Sequence, residues 1–196
     1  MIKPLILRLY WKNRLTKLTL ENHLERDRRL DCWSVNGIGP YSHSTDDWVR
    51  MILDVSLEID LPPFLAEIFD RAQASMVYGC YHYPLFTLGM EELFRFGESA
   101  FREAIKEAEP PSGLTKKRYV DLQKWAFNEG LIDIAAASRW ESSRQLRNSV
   151  SHKEGALLLG PNDALNQLDI TKELVEALFI SCRERTRNKC HVQSGE

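Results

Sequence analysis

The side chains best suited to chemistry are gathered in one stretch, Arg144-Gln145-Leu146-Arg147-Asn148-Ser149-Val150-Ser151-His152-Lys153. Arginine carries a fixed charge on a planar fork that matches phosphoryl oxygens, and histidine exchanges a proton near neutral pH. On a helix, Arg147 and His152 stand about 7.5 Å apart along the axis, a rise that a long guanidinium side chain covers. The two can therefore converge on one phosphate. A proton carrier and a cation facing the crowded phosphorane are what cleavage of RNA without a metal requires. The same spacing also suits a plain helix end, with His152 favoured by the negative C-terminal dipole and Arg147 snorkelling from a packed face.

The stretch resembles the Arg-Asn-x-x-x-His signature of the HEPN superfamily, carried here by Arg147-Asn148-Ser149-Val150-Ser151-His152 after a leucine. Ala74-Ser75-Met76-Val77-Tyr78-Gly79-Cys80-Tyr81-His82-Tyr83-Pro84-Leu85, followed by a helix through Glu91, Phe94 and Glu98, looks like the earlier helices of bacterial HEPN-like proteins. The likeness covers about residues 64 to 185. It implies an all-α, up-and-down multi-helix bundle and a homodimer whose two motif helices meet in one composite cleft. In active members that cleft is a metal-independent endoribonuclease site, used in toxin–antitoxin pairs and phage defence. Carried over, Arg147 binds the scissile phosphate, Asn148 orients the site and His152 transfers protons, while the ribose 2′-hydroxyl attacks. The resemblance calls for RNA and a second copy as partners, for an antitoxin or nucleotidyltransferase beside them, and for no cofactor or metal. The alternative is a non-catalytic HEPN dimer serving as an RNA-binding or protein-interaction module.

The helix that must carry the motif is expected from about Ile134 to Glu154, stopped by Gly155 in the left-handed C-terminal position. On it Ala136, Trp140, Ser143, Leu146 and Val150 share one apolar stripe, and Asn148 and His152 lie opposite with Glu141 and Gln145. Arg147 falls at the edge of the packed stripe, where an arginine needs an anion or a polar cleft beside it. Arg139, Arg144 and Lys153 make the window 139–153 basic against Glu141 alone. Arg144 and Lys153 are thus candidates for substrate binding, although a solvated face also suits Arg139 and Lys153. Glu91, Glu92, Arg95 and Glu98 reach the motif only if their helix is its neighbour, and otherwise read as salt-bridged surface positions.

Ser44-Thr45-Asp46-Asp47 reads as an N-cap cluster opening a helix through Trp48, Ile52, Val55 and Ile59, ended by Leu61-Pro62-Pro63. A second helix follows from Phe64 to about Tyr81. Pro84 either starts a third or kinks a continuous one, and the pattern from Leu85 to Ala108 is helical, mixing rings with small residues that let a neighbour approach. Thr115 is expected to cap a short helix carrying Tyr119, Leu122, Trp125 and Ala126, closed by Gly130. Asp163 or Asp169 caps a last helix through Leu174, Ala177, Leu178 and Cys182, and the polar tail from Arg183 to Glu196 is expected to fray. The expected core is Leu93, Phe94, Phe101, Trp125, Trp140, Leu146, Val150, Leu174 and Leu178.

The 196 residues bound one domain, divided here into an N-terminal segment 1–45 of unassigned role, a helical bundle 46–188 and a flexible tail 189–196. With 26 Lys+Arg against 28 Asp+Glu, no global basic field exists, so an anionic ligand needs a local cluster. Asn36-Gly37-Ile38-Gly39-Pro40 lacks the third glycine and preceding strand of a phosphate loop and reads as a turn. Cys32, Cys80, Cys182 and Cys190 fit reduced, structural thiols; Cys182, Cys190 and His191 match no common zinc spacing. No apolar run suits a signal core or membrane span, and the expectation is a soluble, cytoplasmic protein.

Overall fold

The computed structural model describes residues 18–32, 44–152 and 160–193, with the side chains of 31, 32, 150–152 and 190–193 outside that description. Among the described residues every regular element is helical and no strand occurs, as the periodicity predicts. Six α-helices follow one another among the described residues: α1 (Thr45–Leu53), α2 (Pro63–Gly79), α3 (Pro84–Glu107), α4 (Tyr119–Asn128), α5 (Ile134–His152) and α6 (Pro161–Gln193). Central α3 packs against α2 and α6 over most of its length and more lightly against α4 and α5.

Local sequence explains most of the helix starts. Ser44 Oγ accepts from the Asp47 amide while the Asp47 carboxylate accepts from the Ser44 amide, a reciprocal cap. Prolines stand at the first positions of α2 and α3, where the missing N–H costs nothing. Pro84 therefore opens a new helix after a break at 80–83. Asp133 caps α5 by accepting from the Ala136 amide at 2.7 Å, and Asp163, not Asp169, reaches back to the Gly160 amide at the start of α6. Gly130 closes α4 at φ +70°, whereas Thr115 sits in a 3-10 turn (Leu114–Lys116) and caps nothing, α4 starting at Tyr119.

Tertiary contacts correct two expectations. Helix α1 stops at Leu53 instead of running to Ile59, because Gln73 of α2 donates to the carbonyls of Ile52 (2.8 Å) and Val55 (2.6 Å) that a continuing helix would use itself. Val55 is still buried. Helix α6 runs to Gln193, past the boundary read at 188, because acids from other elements partner its polar end. Arg183 bonds Glu107, Arg185 bonds Glu129 and lies over the Trp125 ring, and the Thr186 hydroxyl donates to the Glu107 carbonyl. Of the expected core, Leu93, Phe94, Phe101, Trp140, Leu174 and Leu178 are buried, and Trp125 and Leu146 pack half-buried against it. The Val150 side chain lies outside the described residues, as do Lys153 and Gly155.

The small residues of α3 permit the close approach expected of them, at one position more than another. A Cβ at Gly89 would lie 2.6 Å from Met76 Cγ and 2.9 Å from the Ala72 carbonyl oxygen of α2, but at Gly97 it would meet only Trp140 and Thr171, at 3.4 and 3.5 Å. Helix propensity favours alanine at both by up to ~1 kcal/mol. Backbone cannot yield as a side-chain tip can, so overpacking of about 1–3 kcal/mol outweighs that gain at Gly89. Chemical denaturation should show Gly89→Ala less stable and Gly97→Ala equally or more stable than wild type; the reverse order would refute this packing.

Residues 27–32 belong to the bundle although the sequence assigns 1–45 no role. Leu30 is fully buried. The Asp27 amide donates to the Cys80 carbonyl, and its carboxylate accepts from the Tyr83 amide (2.9 Å), the Arg29 amide and the Arg29 guanidinium. Burial pushes the Asp27 carboxyl up, but these bonds together outweigh it and hold the group below the ordinary range. The stabilisation is thus fully present above about pH 4, the unfolded value, and is lost as pH falls through the lowered folded one. Asp27→Ala should cost about 1–3 kcal/mol at pH 7, and its deficit relative to wild type should shrink in acid. A deficit independent of pH would mean the carboxylate is not the anchor.

Candidate functional site

Helix α5 presents the motif because a single large side chain seats it. Trp140 is 2% exposed, and its ring stands edge-on to Phe101 of α3 at 5.1 Å. Phe101 in turn meets Tyr119 of α4 edge-on at 5.3 Å, so one aromatic row fixes both shorter helices to α3. Ser143 adds a polar tie, its hydroxyl accepting from Gln167 of α6 at 2.9 Å while the same amide reaches Thr171. These contacts turn the edge of the stripe toward a narrow cleft. Its walls are Gly97 and Glu98 of α3, Tyr119, and Trp140, Arg144 and Arg147 of α5. The enclosed part holds little more than one water molecule.

Arg147 stands half exposed at the cleft mouth and donates from Nη1 to Glu98 Oε2 at 2.7 Å. The anion that an arginine in this place needs is therefore supplied from within the chain. Arg102, one turn along α3, donates from Nη2 to the other Glu98 oxygen at 3.0 Å, and its Nη1 is anchored to the carbonyls of Thr115 and Lys117. Two guanidinium groups thus share one carboxylate. The Tyr119 hydroxyl nearby is pushed far above its usual range, chiefly by burial, and remains a neutral phenol.

The other motif residues divide. Asn148 is exposed on the polar side, with Glu141 and Gln145 on the same side and bonded to each other at 2.9 Å. Arg144 makes a two-bond pair with Glu141 at 2.6 and 2.7 Å, which lowers the Glu141 carboxyl to about 2. His152 is the last residue of α5; its side chain and the whole of Lys153 lie outside the described residues, and so does the convergence of His152 with Arg147. Arg139 pairs with Glu173 of α6. Arg139, Arg144 and Arg147 are therefore each paired with an acid, two of them from other helices, although Arg147 shares its acid with Arg102, so the field of these arginines is reduced in the fold. Of the acids on α3, Glu92 pairs with Arg95 and Arg71, and Glu98 is the one that reaches the motif. Arg102 went unread: its i,i+4 spacing from Glu98 signals a helix pair, but nothing local ties that pair to α5.

Among the described residues no group of three or more His, Cys, Asp or Glu side chains is placed to hold a metal ion. Cys80 and Cys182 are buried free thiols, pushed up by burial to about 11 and about 12, and so unreactive. No helix among the described residues is long and apolar enough to cross a membrane. No protein-family model, curated protein or solved structure matches this chain.

Proposed function

We propose that this protein is a metal-independent endoribonuclease of the HEPN type, working at a composite site between two copies, as the toxic or phage-defence component of a bacterial system. The observation that carries the reading is Arg147. It is half exposed at the mouth of a cleft, already engages an oxyanion, and shares its helix with exposed Asn148 and terminal His152. The all-helical frame is of the kind the resemblance implies. In this reading Arg147 holds the scissile phosphate and stabilises the phosphorane, Asn148 orients the site, and His152 takes a proton from the 2′-hydroxyl or gives one to the leaving 5′-oxygen. The upstream product ends in a cyclic phosphate. Arg144 and Lys153 flank the RNA, and a protein antitoxin or nucleotidyltransferase restrains the enzyme. A second copy supplies the second Arg147 and His152, raising a local potential that one chain's paired arginines leave low.

One observation favours a different reading, a non-catalytic HEPN dimer that binds RNA or protein: Arg139, Arg144 and Arg147 all carry carboxylate partners, as structural arginines do. Incubation of the pure protein with mixed RNA in EDTA separates the two. Cyclic-phosphate-ended fragments, absent with His152→Ala, are expected of the nuclease; RNA bound but intact would favour the module, and cleavage abolished by EDTA would refute the metal-free chemistry. Light scattering should give a dimer at micromolar concentration.

A further inference from the structure

We propose that Arg102 and Arg147 together form a binding site for an RNA phosphodiester, which Glu98 occupies in the free protein as a displaceable internal anion. The inference rests on reading Arg147 as a phosphate ligand, and it does not require cleavage. A carboxylate and a phosphodiester each offer two charged oxygens to a guanidinium fork, so a geometry that serves one serves the other. Here the two forks come from different helices and converge on the two oxygens of a single group, at 3.0 and 2.7 Å.

Arg102 is the preorganised half. Its second amino group is held by the Thr115 and Lys117 carbonyls, so the guanidinium keeps its place when Glu98 leaves. Arg147, about half exposed, is the adaptable half, free to follow the strand. Glu98 sits on the surface of α3 and is itself about a quarter exposed, so its carboxylate can turn to water without opening the core. Loss of two partly exposed ion pairs is a small penalty against charge-assisted bonds to a phosphate. Arg102 is then a substrate-binding residue outside the motif, and Glu98 sets how much affinity the free protein withholds.

The test measures fluorescence anisotropy of a single-stranded 2′-O-methyl RNA, which has no free 2′-hydroxyl and cannot be cut. Glu98→Gln should tighten binding about tenfold and steepen the dependence of log K on log salt by about 0.7 for the added phosphate contact. Arg102→Gln in the Glu98→Gln background should abolish the gain, with circular dichroism confirming the helices. Glu173→Gln is the control, removing the same charge beside Arg139 but freeing one arginine only. Unchanged or weaker binding by Glu98→Gln, an unchanged salt slope, or an equal gain in Glu173→Gln would each overturn the proposal. Tightening by Glu98→Gln with no cleavage of ordinary RNA would sink the nuclease reading alone; cleavage with no tightening would sink the anion site alone. Inorganic phosphate at millimolar concentration should compete weakly, whereas full displacement by it would point to a free-phosphate site instead.

Discussion

Trp140→Ala is expected to lower the free energy of unfolding by about 3–5 kcal/mol, the range for deleting a buried ring. Among the described side chains of α5 Trp140 alone is buried; Ala136, Ala137, Ser143 and Leu146 are half-buried at most. Its loss empties the space between Phe101 and Gly97 and removes the edge-on ring contact that holds α5 against α3. Against a total stability on the order of 5–15 kcal/mol the protein stays folded, but α5 becomes the first element to open. Urea titration should show the fall in midpoint, and hydrogen exchange should show α5 amides losing protection before those of α2 and α3. Trp140→Phe should cost far less, since it keeps a ring in place and removes an indole N–H that has no partner among the described residues. A loss under 1 kcal/mol in the alanine variant would mean that α5 is seated by something else.

In an RNA cleavage assay, Arg147→Ala and His152→Ala should each reduce the rate by 10²-fold or more, the scale for removing a general acid–base or a transition-state charge partner. Neither should change the fold. Arg147 makes a half-exposed ion pair with Glu98, worth about 0.2–1 kcal/mol at most, so its thermal midpoint should move little. That separation between activity and stability is the informative part. Arg147→Ala that unfolds the protein would recast Arg147 as a structural pin for α5. Wild-type levels of cleavage in both variants would move the chemistry away from this helix, and growth toxicity on expression should track the rate in every variant.

Helix positions, the apolar stripe of α5 and the aromatic core of α3 are legible in the sequence because they depend on periods of three to four residues and on caps within one turn. The reciprocal Ser44–Asp47 cap, Pro84 as a first-turn residue, and Trp140 and Leu146 facing inward all follow from such local rules. The length of α1 and of α6 does not. Gln73 ends one helix by taking its carbonyls, and Glu107 and Glu129 extend the other by pairing arginines that look like a solvated tail. The site divides in the same way. Which residues on α5 are basic is written in the chain, but the field they produce is not, because Glu98 lies 49 residues from Arg147 in sequence and 2.7 Å from it in space. Periodicity acts through neighbours on one helix, whereas Coulomb interactions act through distance whatever the connectivity. Only packing of α5 against α3 could set two arginines from different helices around one carboxylate, which offsets one of their two charges.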